Sequence, residues 1–259
     1  MKKFCYLLAV FMLLACGSSD SVNGLTDTSV NANDTMENGD STGTTTEESI
    51  TLPTQVVEAL AAPMSTLTQD VKDAITFMYS EEGLAHDVYL NVYVHQVENQ
   101  LTLVKELQNI ATKSEVKHID AVNQLTQKYD LNITKYPDTD HPYSTDDLAR
   151  YGSGEFPVEP IQELYNILYD KGIQSKKDAL EVGCMVEVVD VDDLIEHIHE
   201  AEASNATDVV DVFNFLLEGS YKHFWAFDEG LKNIGITEGC CSVPDYGDHT
   251  MCHPEYPNN

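Results

Sequence analysis

Glu82, Glu115, Glu187 and His223 each interrupt an otherwise apolar periodic run, and carboxylates in such places call for a cation. An unpaired buried charge costs several kcal/mol even after relaxation, so the interruptions must compensate one another or something else must. No Lys or Arg stands on these runs, and the single arginine, Arg150, lies between them. His118 follows Glu115 by three residues, which puts both on one face of a helix, and Asp190 repeats that spacing after Glu187. Glu82, Glu115, His118, Glu187, Asp190 and His223 would offer four carboxylates and two imidazoles. Such an oxygen-rich set with some nitrogen suits iron or manganese better than thiolate-seeking metals. Four negative charges balance two divalent cations, which favours two ions over one.

Four stretches must position these groups. Apolar residues recur at alternating steps of four and three through Val71, Ile75, Met78, Ala85, Tyr89 and Val92, then through Val104, Leu107, Ala111, Val122 and Leu125. Leu180, Cys184, Val191, Leu194 and Ile198 form a third seam, and Val209, Phe213, Leu216, Phe227 and Leu231 a fourth. The pattern predicts helices over roughly 68–97, 101–130, 176–202 and 207–235. Their midpoints fall within about two residues of Glu82, Glu115, Glu187 and His223, so antiparallel packing would bring the four to one depth. The first and second helices are joined by a few residues near Asn99, the third and fourth by a few near Asn205. A long crossover from about Leu131 to Ser175 carries one more helical pattern, EPIQELYNILYDKG, closed by Gly172. Two antiparallel pairs joined by one long crossover predict an all-α, ferritin-like four-helix bundle.

A family resemblance rests on the same residues. EGLAHDVY, with Glu82, Ala85 and Tyr89, resembles the first helix of rubrerythrin-like proteins, and SEVKH supplies the Glu-x-x-His of the second. More closely, EEGLAHDVYLNVY, SEVKHIDAV, IQELYNILYDKGIQSKKDALEVG, EVVDVDDL and LLEGSYKHFWAF look like the ferritin-like family known as domain of unknown function 2202. That resemblance covers about Asp73 to Phe227. It implies a ferritin-like fold with Glu82, Glu115, His118, Glu187 and His223 as metal ligands, and no established reaction. The fourth helix departs from the wider di-iron pattern, because Ser220 stands three residues before His223 where a Glu is expected; Asp190 is the substitute at hand. His86 and Tyr89, one and two turns beyond Glu82, are within reach of the ligands, although ordinary core or surface roles suit both.

The leading functional expectation is a di-iron or di-manganese oxidoreductase reacting with O2 or peroxide. The alternatives are a non-catalytic metal-sequestering protein and a structural bundle with a degenerate site. No CxxC pair resembling a rubredoxin centre is present, so a built-in electron supply is not expected and the donor is unidentified.

The N-terminus indicates where this chemistry would take place. Lys2 and Lys3, an apolar run from Phe4 to Ala15 and the sequence Leu13-Leu14-Ala15-Cys16 read as a signal peptide over residues 1–15, ending like the lipobox of bacterial lipoproteins. Cys16 would carry the lipid, and Gly17 after it leans toward the outer membrane, facing the periplasm or the exterior. Residues 16–62, almost without large apolar side chains, are expected to be a disordered tether. Residues 63–235 would be the folded domain and 236–259 a Cys- and His-containing tail. Loss of the two leader lysines takes the 14 basic residues to 12, against 44 acidic ones, which excludes nucleic acid and anionic lipid as natural partners. A lipid tether suits a monomer or dimer better than a storage cage. In the tail, Cys240 or Cys241 could bridge to Cys252 outside the cytosol, whereas His249 and His253 match no standard zinc spacing.

Overall fold

A computed structural model describes residues 51–132, 153–156 and 158–258, which contain helices and turns and no strand. One compact unit spans Ile50–Asn259. The expected signal peptide and Cys16 lie outside the described residues, as do residues 133–152 of the crossover.

Among the described residues seven α-helices follow in order: α1 (Thr54–Ala61), α2 (Gln69–Glu98), α3 (Lys105–Ile110), α4 (Val116–Tyr129), α5 (Glu159–Gly172), α6 (Lys176–Ala203) and α7 (Thr207–Asn233). A π-helical turn, Ala111–Glu115, joins α3 to α4 in one continuous rod. Local chemistry sets the boundaries. Thr68 caps α2 by accepting from the Val71 amide, and Ser175 caps α6 by accepting from that of Asp178, whose negative charge also suits the first turn. Asp130, at φ 54°, ends α4 in the left-handed conformation, and Asn205, at φ 58°, turns the chain between α6 and α7. Asn tolerates that conformation better than most residues, which allows a connection short enough to force α6 and α7 antiparallel.

α6 and α7 form the most extensive pair. α2 packs on the α3–α4 rod and on α6, while that rod also meets α7, so the four long rods surround one core. Nineteen residues of α2 and sixteen of α6 are buried, far more than one helical stripe, because α5 covers an outer side of both. Among the described residues no helix is long and apolar enough to cross a membrane.

Three features differ from the sequence expectation. Helix α1 lies within the expected tether: Val56 and Ala59 are buried and the helix packs on α7, so the ordered region starts before residue 63. One alternating apolar pair was too short to register as a helical seam. The expected second helix contains the π turn, whose extra residue shifts the phase of the seam and brings Glu115 inward. The tail is tied down by two disulfides, Cys241–Cys252 and Cys184–Cys240. The first fits the expected local bridge. The second recruits a cysteine that its spacing had marked only as a core residue.

Candidate metal centre

The centre is built from one layer of four rods. Glu82 comes from α2, Glu115 from the end of the π turn, His118 from α4, Glu187 and Asp190 from α6, and His223 from α7. All six are buried.

Glu115 joins two groups of ligand atoms. Its Oε2 lies 3.2 Å from His118 Nδ1, which is also 3.1 Å from Glu82 Oε2. Its Oε1 lies 3.0 Å from His223 Nδ1, which is 3.4 Å from Glu187 Oε2. Among the described residues, these two triads, Glu82–Glu115–His118 and Glu115–Glu187–His223, are the groups in which three or more side chains could hold an ion. The two imidazoles stack with centroids 5.4 Å apart, so the triads sit side by side.

Neighbouring groups orient the ligands. Tyr89, wholly buried, donates its hydroxyl proton to Glu187 Oε1 at 2.6 Å and leaves Oε2 for His223. The Ser114 hydroxyl sits 2.7 Å from His223 Nε2, on the far side of the ring from the centre, which fixes the ring's orientation. At Gly219 a Cβ would fall 2.3 Å from His118 Nε2, so the α7 backbone leaves space there that the imidazole fills. Asp190 belongs to neither triad. It accepts a short hydrogen bond from Ser220, and its other oxygen, like Glu82 Oε1, has no hydrogen-bond partner despite being buried.

Burial and mutual proximity shift the protonation of these side chains in opposite directions. Burial, reinforced by Asp190 and Glu115, pushes the Glu82 carboxyl well above the usual range. Burial and the charge of Glu187 raise Asp190 to about 8, and burial also raises Glu187 against the opposing pull of His223. Glu115 is buried too, but His223 and His118 outweigh that and hold its carboxyl below the usual range. Both imidazoles resist their own burial. Glu187 and Glu115 raise His223 to about 10, and Glu115 raises His118. The metal-free centre therefore retains protons on its imidazoles, in the role a bound cation would take.

A metal fits these residues on three counts: the two triads offer three carboxylates and two imidazoles, both Nδ1 atoms point inward, and two buried carboxylate oxygens, on Glu82 and Asp190, are orphaned. Every residue expected from the sequence reaches the layer, with Asp190 at its margin. His86 does not take part in the triads and pairs with Asp87 at 2.8 Å. His249 and His253 are engaged in the tail, with Asp192 at 2.7 Å and Glu255 at 2.8 Å. Ser114 and Gly219 carry no sequence signal for their roles, because a lone Ser or Gly has meaning only against the ring it touches.

A family model described as uncharacterized protein domain (DUF2202) matches residues 71–243, a span that contains all six residues of the centre. The chain is 34% identical over 173 residues to the uncharacterized protein MJ0754 of Methanocaldococcus jannaschii, covering 67% of this chain and 81% of that one. The crystal structure of hypothetical protein MJ0754 from the same archaeon superposes with a TM-score of 0.55 at 32% identity, over 67% of this chain and 86% of the other.

Proposed function

Since the chain belongs to the DUF2202 family, to which no activity is assigned, we propose from its own residues that it is a ferritin-like four-helix protein holding two iron or manganese ions and acting as an oxidoreductase on O2 or peroxide. The observation that carries this reading is Glu115, whose two oxygens face two different Glu–His pairs. Glu115 with Glu82 and His118 would hold one cation, and Glu115 with Glu187 and His223 the other. Two such ions, each giving up one electron when bound there, would supply the pair that reduces peroxide to water.

The chain's own groups perform the rest. His118 and His223 present Nδ1 to the centre once their protons have left, and Ser114 keeps the His223 ring in that attitude. Tyr89 holds one oxygen of Glu187 and so directs the other inward. Ser220 orients Asp190 at the place where the fourth helix lacks a carboxylate, leaving the second oxygen free to take or give a proton. Burial of the whole layer excludes bulk water.

Elemental analysis after mild purification should find about two ions per chain. Fe(II) or Mn(II) added to chelated protein should raise the melting temperature by roughly 5 to 10 °C at a hundredfold excess over Kd. Rapid mixing of the Fe(II) protein with O2 or peroxide should then show oxidation within the protein. Retained metal without reaction would make the protein a sequestering one. An unchanged melting temperature up to millimolar metal would sink the buried site.

The same reading places the protein at the cell envelope on a lipid attached to Cys16. Two disulfides support it, since such bonds persist mainly outside the cytosol. Cys16→Ser should leave the protein soluble or unprocessed; a variant still cleaved and sedimenting with membranes would refute the anchor.

A further inference from the structure

On α6, Glu187, Asp190 and Asp193 follow one another at steps of three, so their carboxylates climb one side of the helix from the centre outward. Each step rises about 4.5 Å along the axis. Glu187 and Asp190 are buried, whereas Asp193, at the outer end, is partly exposed. Across from this ladder, on α2, stands Glu81, the neighbour of the ligand Glu82. It is 4% exposed, and its Oε2 has no hydrogen-bond partner. Asp193 stands within its hydrogen-bonding reach, and the charges acting on it most strongly are those of Asp193, Asp190 and Glu82. Asp193, partly exposed, and the buried Glu81, Asp190 and Glu82 are thus electrostatic neighbours where α2 faces α6. An orphaned carboxylate oxygen beside a second carboxylate is completed by a shared proton or by a cation.

We propose that Glu81 and Asp193 form a transit site for a divalent cation on its way between solvent and the inner centre. The proposal rests on the reading of that centre as a metal site. Two carboxylates are too few ligands to retain Mn(II) or Fe(II), which suits a station that passes its ion inward to the richer donor set of the triads. The station takes a partly hydrated ion at its exposed end, and Asp190 stands between it and Glu187. His197 and His249 also face Asp193, so the surroundings are not purely acidic.

A station on the route alters rates in both directions and leaves the equilibrium alone. The test uses the full chain, stripped by chelator, with Mn(II) as the probe. Loading is followed by loss of the free-ion electron paramagnetic resonance signal, and release by transfer to excess EDTA. Glu81→Gln and Asp193→Asn keep size and shape, and Asp193→Glu restores the charge. Both neutral variants should load and release Mn(II) at least about tenfold more slowly, the low end of what focused charge contributes to cation association. Kd and final stoichiometry should match the parent, and Asp193→Glu should recover most of the rate. Unchanged rates in folded variants would overturn the proposal. So would a weaker Kd with faster release, which would make Glu81 a ligand. A parent chain that takes up no Mn(II) would instead overturn the centre itself.

Discussion

Buried acids near the rod ends and those in the middle layer are neutralised in different ways. Asp208, at the start of α7, is held by Lys128 at 2.7 Å and by the hydroxyls of Tyr129 and Ser65. Glu181 meets Lys171 and Lys177, and Asp228 meets Lys232 and the Cys240 amide. In the middle layer Glu82, Glu115 and Glu187 face one another and two imidazoles. A lysine at a rod end reaches its acid while keeping its stem near the surface, so the pair is complete within the chain. The middle lies too deep for that, and its counter-charge must be a proton or an ion from outside. One protein thus contains acids finished by its own sequence and acids that its sequence leaves to a proton or an ion.

The largest expected effect breaks the middle alone. Glu115→Ala removes an oxygen from both triads and should abolish binding of both ions, and His118→Ala should remove most bound metal, while each variant stays helical by circular dichroism. Full occupancy in either by elemental analysis would move the site elsewhere. Smaller, and confined to an end, is Asp208→Asn. Leaving Lys128 without its carboxylate should cost about 2 to 3 kcal/mol in denaturant melts. Metal stoichiometry should not change; if it fell, ends and middle would not be independent.

The smallest effect is one of pH, and it sharpens the contrast through its sign. Asp190 and His223 have folded values raised to about 8 and about 10. Raised groups stabilise the folded state below their unfolded values, and that contribution fades as pH rises through the folded ones. Metal-free protein should therefore lose stability progressively toward pH 10. Asp208 behaves oppositely: its own burial opposes the charge, but Lys128 and the two hydroxyls overcome this and hold its carboxyl low. Its contribution is present above the unfolded value and disappears in acid. Parent and Asp208→Asn melts without metal should converge as pH falls below about 4 and run parallel in the alkaline limb. Parent protein that is equally stable at pH 7 and 10 would contradict the protonated centre.

Much of this was legible before any coordinates. Step-four, step-three periodicity placed α2, α6 and α7 to within about two residues, because a rod that buries one stripe in a common core must repeat its apolar residues at the helical period. The helix at Glu159–Gly172 follows from its pattern and its terminal Gly. The four polar interruptions at Glu82, Glu115, Glu187 and His223 were visible because each violates the local rule of its own rod; their shared depth followed from rods of similar length joined by short turns, and His118 and Asp190 from the three-residue spacing. What sequence could not supply depends on phase and on contacts between rods. The π turn sets the rotation of Glu115 about its rod, and in the fold each of its oxygens meets a different histidine. Asp190 differs from Glu187 in having Ser220, from another helix, as its partner. Cys184 carried the mark of a core residue and became the anchor of the tail once the fold brought Cys240 against it. Sequence therefore determined the rods and the buried acids, since burial and periodicity are local properties of one helix. Which oxygen faces which nitrogen was left to tertiary packing, because that depends on how four helices are rotated against one another.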